Sequence, residues 1–530
     1  MDKICSKVQT ARENIQELNA PVEELTLQRC CLNVSKATYL LRCNGDRVNS
    51  EQLCKFDLGM AAGLESALWQ PLSDDGWVQA SLAIDAGGLG MRESQGLALL
   101  AFIASRTTAR PLVEEMAKHT EEAGLCQAAL CMNAYDTRTN AAIERWVGEL
   151  PPGVHMEVRL HIDEGAEAAV QRWRTWCEGR ESPAHAGGDQ GESLPNAGAG
   201  VIGRVGLQDA EHPGNTSSSN PLHVQQRLSK VVDQCAAQGL VNKFTSQEQW
   251  GALHRLADIS SPEANHEWLW AVHPHKTKRL EADEYVTAVR LRLGCGGPEE
   301  PAICGNCGNS IIACDGEHGL LCAKGESTRG HNAIRDELHN MALPVDANAE
   351  TEPEGLIASH PRLRPADVLT GAFHNGRLAA VDVGVICPSA AGAGVDCVAT
   401  MDQRKRDRME PFRDELDRAG VEFHPFAVSC WGRLHPTASQ MLHRLAKRTA
   451  RRQGLTNQRA VFHQLNARIT TEVMRRAARM VLHCLPHVSD DAGAYQGGSD
   501  ELLSPCVVSR AGDPSTADMP PYSEALPSGA

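Results

Sequence analysis

The chain has 530 residues, 42% of them apolar but only 4% aromatic, and a formal net charge of -15. That length is too great for one core and predicts about two to four domains. The acidic balance excludes a chain that binds nucleic acid over its whole surface, and no apolar run reaches the roughly 20 residues needed to cross a bilayer.

The first thirty residues lack an apolar signal-peptide segment, so the expectation is a soluble protein of the nucleus or cytoplasm with no membrane partner. Residues 1–150 read as a helical domain, with Leu27, Cys30 and Val34 at helical spacing and LESALW and LALLAFIASR as buried helix segments. Gly87-Gly88-Leu89-Gly90 interrupts the pattern as a tight interhelical loop, and no GxGxxG spacing follows. Residues 151–221 read as a linker. Within them HMEVRLHI (155–162) alternates as a strand would, and from about 178 Gly, Ser, Pro and Asn dominate.

Helical patterning returns in a connector, 222–293. Leu228, Val231, Val232 and Cys235 share one face of a helix expected to end at Gly239, WLWAVHP stops at Pro274, and ADEYVTAVRLRLG predicts a further helix. Residues 294–335 carry the clearest chemical spacing, Cys304-x2-Cys307-x10-His318-x3-Cys322. Two thiolates on a Cys-x2-Cys turn and a second pair close a tetrahedron around Zn2+, with no open position, so the ion is structural. Cys314, and less so Cys295, compete for a ligand place. Most other cysteines among the 19, such as Cys5, Cys126, Cys235 and Cys484, stand alone as buried thiols.

In residues 336–450, GRLAAVDVGVICP is a strand ending at Pro388 with Asp382 inside its apolar run, and LRPADVL sets Asp367 at the start of another. Asn375-Gly376 between them signals a hairpin that would bring both acids towards one end of a sheet, with Glu352 a third candidate. Two readings stay open at this point. The acids are ligands of a hard cation such as Mg2+, with Lys405 as the nearest lysine. Otherwise Asp367 is a strand-start cap and Asp382 the ion-pair partner of Arg364 or Arg377. Lys405 lies on an expected helix, QRKRDRMEPFRDELDRAG.

Residues 401–480 hold 17 Lys and Arg against 8 Asp and Glu, a local net of +9. This is either a phosphate-binding face, drawing on Arg404, Lys405, Arg408, Lys447, Arg448, Arg451 and Arg452, or a solvated helix surface. Residues 451–486 read as a basic helix and 487–530 as a disordered tail. No internal repeat, P-loop, GxSxG or HExxH is present.

Taken in order, Cys304-x2-Cys307, Gly316-Glu317-His318-x3-Cys322, Arg329-Gly330-His331-Asn332, Arg335-Asp336, Glu352-Pro353, Arg364-Pro365-Ala366-Asp367 and Val381-Asp382-Val383 resemble the C-terminal region of non-LTR retrotransposon polyproteins. That region has a zinc knuckle and a restriction-like endonuclease of the PD-(D/E)xK class. Gly420-Val-Glu-Phe423-His-Pro425, with Gly432, is similar to the same endonuclease. Lys36-Ala-Thr-Tyr39-Leu-Leu-Arg42 and Gly87-Gly-Leu-Gly-Met-Arg92 resemble the segment after a reverse transcriptase palm.

The resemblance implies a mainly α N-terminal half, an α/β C-terminal restriction-endonuclease-like domain with a small zinc knuckle, and nicking of target DNA. It implies Asp367 and Asp382 as Mg2+ ligands, Glu352 as an accessory acid, Lys405 as the catalytic lysine displaced onto a helix, and His331 as a positioning group. Gly330 stands where the family often has a basic residue, and Lys405-x2-Arg408-Met409 replaces Lys-x-x-Lys-Tyr. Tyr-x-Asp-Asp is absent, so the expectation is a fragment or degenerate copy without polymerase activity. Its partners would be DNA, element RNA and a separate polymerase-bearing protein. The alternative is a catalytically inactive nucleic-acid-binding remnant.

Overall fold

A computed structural model describes residues 1–180, 223–270, 279–373 and 377–486. The fold is mostly helical, with a small mixed sheet in its C-terminal part. The N-terminal helices are α1 (Asp2–Gln16), α2 (Pro21–Cys31), α3 (Thr38–Asn44), α4 (Ser50–Leu68), α5 (Asp74–Ser81), α6 (Ser94–Glu122) and α7 (Ala128–Glu149). α8 (His155–Arg180), α9 (Val224–Ser246), α10 (Trp250–Ile259) and α11 (Ala282–Leu293) follow. No helix among the described residues is long and apolar enough to cross a membrane.

Two expectations for this half are corrected. HMEVRLHI is not a strand but the first turns of α8. Val158, Ile162 and Ala169, spaced by 4 and 7, are buried on one helical face, and a stretch this short fits both periods. α8 and α9 then join α3, α6 and α7 around Leu41, Phe102, Ile103, Trp146 and Leu228. Gly239 does not end α9, because Leu240 and Phe244 are buried beyond it and packing outweighs one poor helix former. Pro274 and the 181–222 part of the expected linker lie outside the described residues.

α11 forms as its pattern predicts. Glu281 and Glu284 make a capping box at its start, and Gly294 ends it with φ +77°. Its Arg292 is buried and donates to the carbonyls of Gly88 (3.1 Å) and Ile84 (2.7 Å), which pins the glycine loop between α5 and α6.

The C-terminal part starts with a hairpin, β1 (Ala302–Ile303) and β2 (Ile311–Ile312), then α12 (Glu317–Cys322) and α13 (Lys324–Ala342). The main sheet comprises β3 (Glu350–Thr351), β4 (Val368–Thr370), β5 (Leu378–Ile386) and β6 (Val421–Ser429), in that spatial order. β3, β4 and β5 pair antiparallel, and β5 runs parallel to β6. The crossover between β5 and β6 carries α14 (Cys397–Met409) and α15 (Arg413–Arg418), so the single helix expected over 403–420 is broken at Pro411, which lacks a backbone N–H. α16 (Pro436–Arg452) and α17 (Gln458–Cys484) complete the fold.

Alternation along β5 sorts its side chains. Ala379, Val381 and Val383 enter the large core with α13, α16 and α17, whereas Ala380 packs with Met409 and Leu416 on the α14–α15 side. Asp382 shares the second face. Asn375-Gly376 lies outside the described residues, but the pairing of β4 with β5 is the one a hairpin there would produce.

α17 is buried along most of its length. Val461, Leu465, Ile469 and Val473 face the sheet core, Met474 and Ala478 face α11 and the N-terminal helices, and Ala477, Met480, Val481 and Cys484 face the β1–β2 hairpin. Four of its cations find partners on neighbouring elements. Arg468 pairs with Glu337, Arg475 and Arg479 with the buried Glu284, and Arg476 donates to Ser327. The basic helix expected over 451–486 is therefore largely packed into the fold from Gln458 onwards. Leu338→Ala, which empties a fully buried position on α13, should lower the unfolding free energy by about 3 kcal/mol, read by urea denaturation.

Candidate metal centre and carboxylate site

The β1–β2 register, Ala302 opposite Ile312 and Ile303 opposite Ile311, brings the ends of the Cys304–Ser310 turn together. Cys304 N–H donates to Ser310 O at 2.8 Å, and Gly308, at φ +65°, donates back to Cys304 O. The turn projects Cys304 and Cys307. α12 sets His318 and Cys322 four residues apart, on one helical face. Cys307 Sγ lies 3.5 Å from His318 Nε2 and Cys304 Sγ lies 3.9 Å from Cys322 Sγ. All four ligand atoms lie within 4.8 Å of one another, the one such group of three or more among the described residues.

This cluster could hold a zinc-like metal ion. Cys314 is outside it, its thiol directed to Glu299 O, and Cys295 is outside it too, pushed up to about 11 by burial. The backbone amides of Asn309 and Ser310 pull the Cys307 thiol down to about 6, towards the thiolate a metal requires. Burial lowers His318, yet the Cys307 and Cys304 sulfurs hold it above its ordinary value.

Forty-four residues of chain separate Cys322, at the end of α12, from Asp367, and α13, within that stretch, carries His331 to the second constellation. Asp367 immediately precedes β4. Its N–H donates to Val381 O, and beyond it β4 no longer pairs with β5. The exposed β5 edge is completed by side chains instead. Asp367 Oδ2 accepts the Val383 N–H at 2.7 Å, and His331 Nε2, from α13, lies 3.2 Å from Val383 O and 3.3 Å from Asp367 Oδ2.

Asp382, only 5% exposed, accepts from Lys405 Nζ at 2.7 Å on Oδ1 and from Arg408 on Oδ2. Both cations come from α14, three residues apart and so on one face. Lys405 reaches Asp382 across a glycine. A Cβ on Gly384 would sit 2.5 Å from Lys405 Cε and 2.7 Å from Met401 Cγ. The two carboxylates are near enough to influence each other, and their pKa values move in opposite directions. Burial pushes Asp382 up against the pull of Lys405 and Arg408. Burial also raises Asp367, but His331 and the Val383 amide outweigh it and hold Asp367 low.

His331, Asp367, Asp382 and Lys405 thus converge, while Glu352 does not join the acids in a three-ligand cluster. Its carboxylate is held by Arg335 and Arg364, and its backbone adopts φ +50°, although its N–H donates to Asp367 O. Neither arginine considered for Asp382 is its partner: Arg364 holds Glu352 and Glu354, and Arg377 pairs with Asp417.

The seven residues considered for nucleic-acid contact divide. Arg404, Arg448 and Arg452 donate to the carbonyls of Gly392, Gly371 and Pro344, which ties them to the fold, and Lys405 and Arg408 serve Asp382. Lys447 and Arg451 are exposed on α16. Two features escaped the sequence. Arg408 belongs to the carboxylate site, which its i,i+3 spacing from Lys405 signals. Gly384 is the passage for Lys405, which only the packing reveals.

No known protein family matches the sequence, and no curated protein matches it.

Asp367 holds the His331 pKa above its ordinary value. The pair's stabilisation on the His side is full below the unfolded imidazole value and is lost as pH rises through the raised folded value. On the Asp side it is present above the unfolded carboxylate value and is lost as pH falls through the lowered one. The pair is strongest between about pH 4 and 6.5. Asp367→Asn should move the His331 pKa downwards, measured by NMR titration without added divalent ion. Cys307→Ser should reduce the zinc content of the purified full chain at least about tenfold, measured by elemental analysis.

Proposed function

We propose that the chain is a retrotransposon-derived zinc-knuckle protein whose C-terminal part is a Mg2+-dependent, restriction-like DNA endonuclease. The observation that carries this reading is the meeting of Asp367, Asp382, Lys405 and His331 at one edge of β5. A mixed sheet flanked by helices on both faces is compatible with the restriction-like architecture that the sequence resembles. The Cys3His cluster ahead of α13 supports a structural Zn2+.

Asp367 and Asp382 fit a hard cation, since they offer adjacent carboxylate oxygens and carry no soft donor. When bound, Mg2+ supplies charge stabilisation at a scissile phosphate and a more acidic water. His331 fixes the Asp367 carboxylate through Nε2, and the Val383 amide holds the same oxygen. Lys405, if it gave up Asp382 Oδ1, would have an ammonium to offer to an attacking water or a non-bridging phosphate oxygen. Arg408, more than half exposed, is free to swing from Asp382 to a phosphate. Lys447 and Arg451 offer further backbone contacts to DNA or element RNA. The nicked 3′ end would prime synthesis by a separate polymerase-bearing protein in the nucleus.

A second reading, a catalytically inactive nucleic-acid-binding remnant, is favoured by the same carboxylate. Both oxygens of Asp382 are already satisfied by cations, and position 409, where the family has tyrosine, is a buried methionine.

Nicking of supercoiled plasmid with Mg2+ or Mn2+ separates the two. Asp382→Ala should abolish metal-dependent nicking and leave DNA binding intact. Lys405→Ala should slow nicking by about 10²-fold or more. Nicking that survives Asp382→Ala would sink the site assignment, and a wild-type chain that binds DNA without nicking it would leave the remnant reading.

A further inference from the structure

A fifth cysteine braces the metal cluster. Cys484 closes α17, and its carbonyl accepts the Gly305 N–H, inside the Cys304–Ser310 turn, at 2.9 Å. Its side chain is packed in the same buried cluster as Cys304, one residue from that main-chain bond. Cys304 and Cys484 are both fully buried in one cluster.

The surrounding backbones approach too closely for larger residues. A Cβ on Gly305 would lie 2.7 Å from Leu485 O, and one on Gly319, in α12, 2.8 Å from Val481 Cα. Cys484 is nevertheless not among the four clustered ligand atoms. Asn306 Nδ2 donates to the Cys322 sulfur at 3.2 Å, so one sulfur of the cluster already has a donor directed at it.

A thiolate bound to a metal keeps lone pairs, and a hydrogen bond to them spreads its charge and fixes its orientation. We propose that Cys484 is a positioning residue of the metal centre: its S–H donates to the Cys304 ligand, and its main chain ties the knuckle to the last turn of α17. Metal binding and the docking of that turn then become one event. The inference rests on reading the Cys3His cluster as a metal site. It also links that site to the carboxylates, because α13 starts two residues after Cys322 and carries His331, and α17 packs along α13.

The test uses the full chain, with Co2+ as a spectroscopic probe and Zn2+ retention against a chelator as the affinity measurement. Cys484→Val, close in volume but without a donor, should keep the three-sulfur charge-transfer intensity and hold Zn2+ about tenfold more weakly. Cys484→Ser, which keeps a donor, should stay within about threefold of wild type. A purely packing role predicts the reverse order, with serine harmful and valine benign, and that order overturns the proposal. A loss of roughly a third of the charge-transfer intensity in Cys484→Val overturns it too, since Cys484 would then be a ligand. If Cys484→Val does not fold, Cys484→Ser decides: retention near wild type supports the proposal and a tenfold loss overturns it. A wild-type chain that takes up no metal fails before any variant is compared, and defeats the metal reading together with the inference.

Discussion

The burial of α17 on three sides is the constraint on which the remaining structure depends. One face completes the sheet core, a second meets α11 and the N-terminal helices, and the last two turns receive the β1–β2 hairpin and α12. A helix that also carries Arg468, Arg475, Arg476 and Arg479 can be buried so only if each cation finds a partner. Glu337, Glu284 and Ser327 supply these from α13 and α11. The ion pairs are thus a condition of assembly, and they orient α13 against α17.

That orientation sets the geometry of the carboxylate site. α13 delivers His331 to the edge of β5 at the point where β4 stops pairing, so a side chain takes over from a missing strand. Asp382 lies on the opposite face of the same strand, where α14 supplies Lys405 and Arg408. The site therefore draws on both layers that flank the sheet, and Gly384 keeps the path between strand and helix open. A buried carboxylate with two cations is stable as it stands. The proposed chemistry requires it to exchange one of them for a metal ion.

Parts of this arrangement were legible in local pattern. The spacing within each ligand pair of the cluster, the alternation of β5 and the helical pattern of α11 depend on residues close together in the chain, where propensity and periodicity act directly. The failures share a cause. HMEVRLHI fits two periods until a neighbour selects one, and Gly239 yields to the burial of Leu240 and Phe244. Glu352 looked like a third ligand because it is acidic and well placed in order, but Arg335 and Arg364 reach its carboxylate from other segments.

The sequence by itself determined the paired spacing of the cluster and the strand that carries Asp382, because thiolate spacing and side-chain alternation are local properties of a chain; that Cys314 stands outside the cluster was decided by the fold. Only the tertiary structure decided which charges meet. The +9 excess over residues 401–480 was dispersed among several fates, including ion pairs of α17 with α13 and α11, carbonyl contacts by Arg404, Arg448 and Arg452, two cations at Asp382, and exposed residues of α16 such as Lys447 and Arg451. Charge is a property of residues, but burial and pairing belong to the packed molecule, where desolvation makes an unpartnered ion too costly to keep.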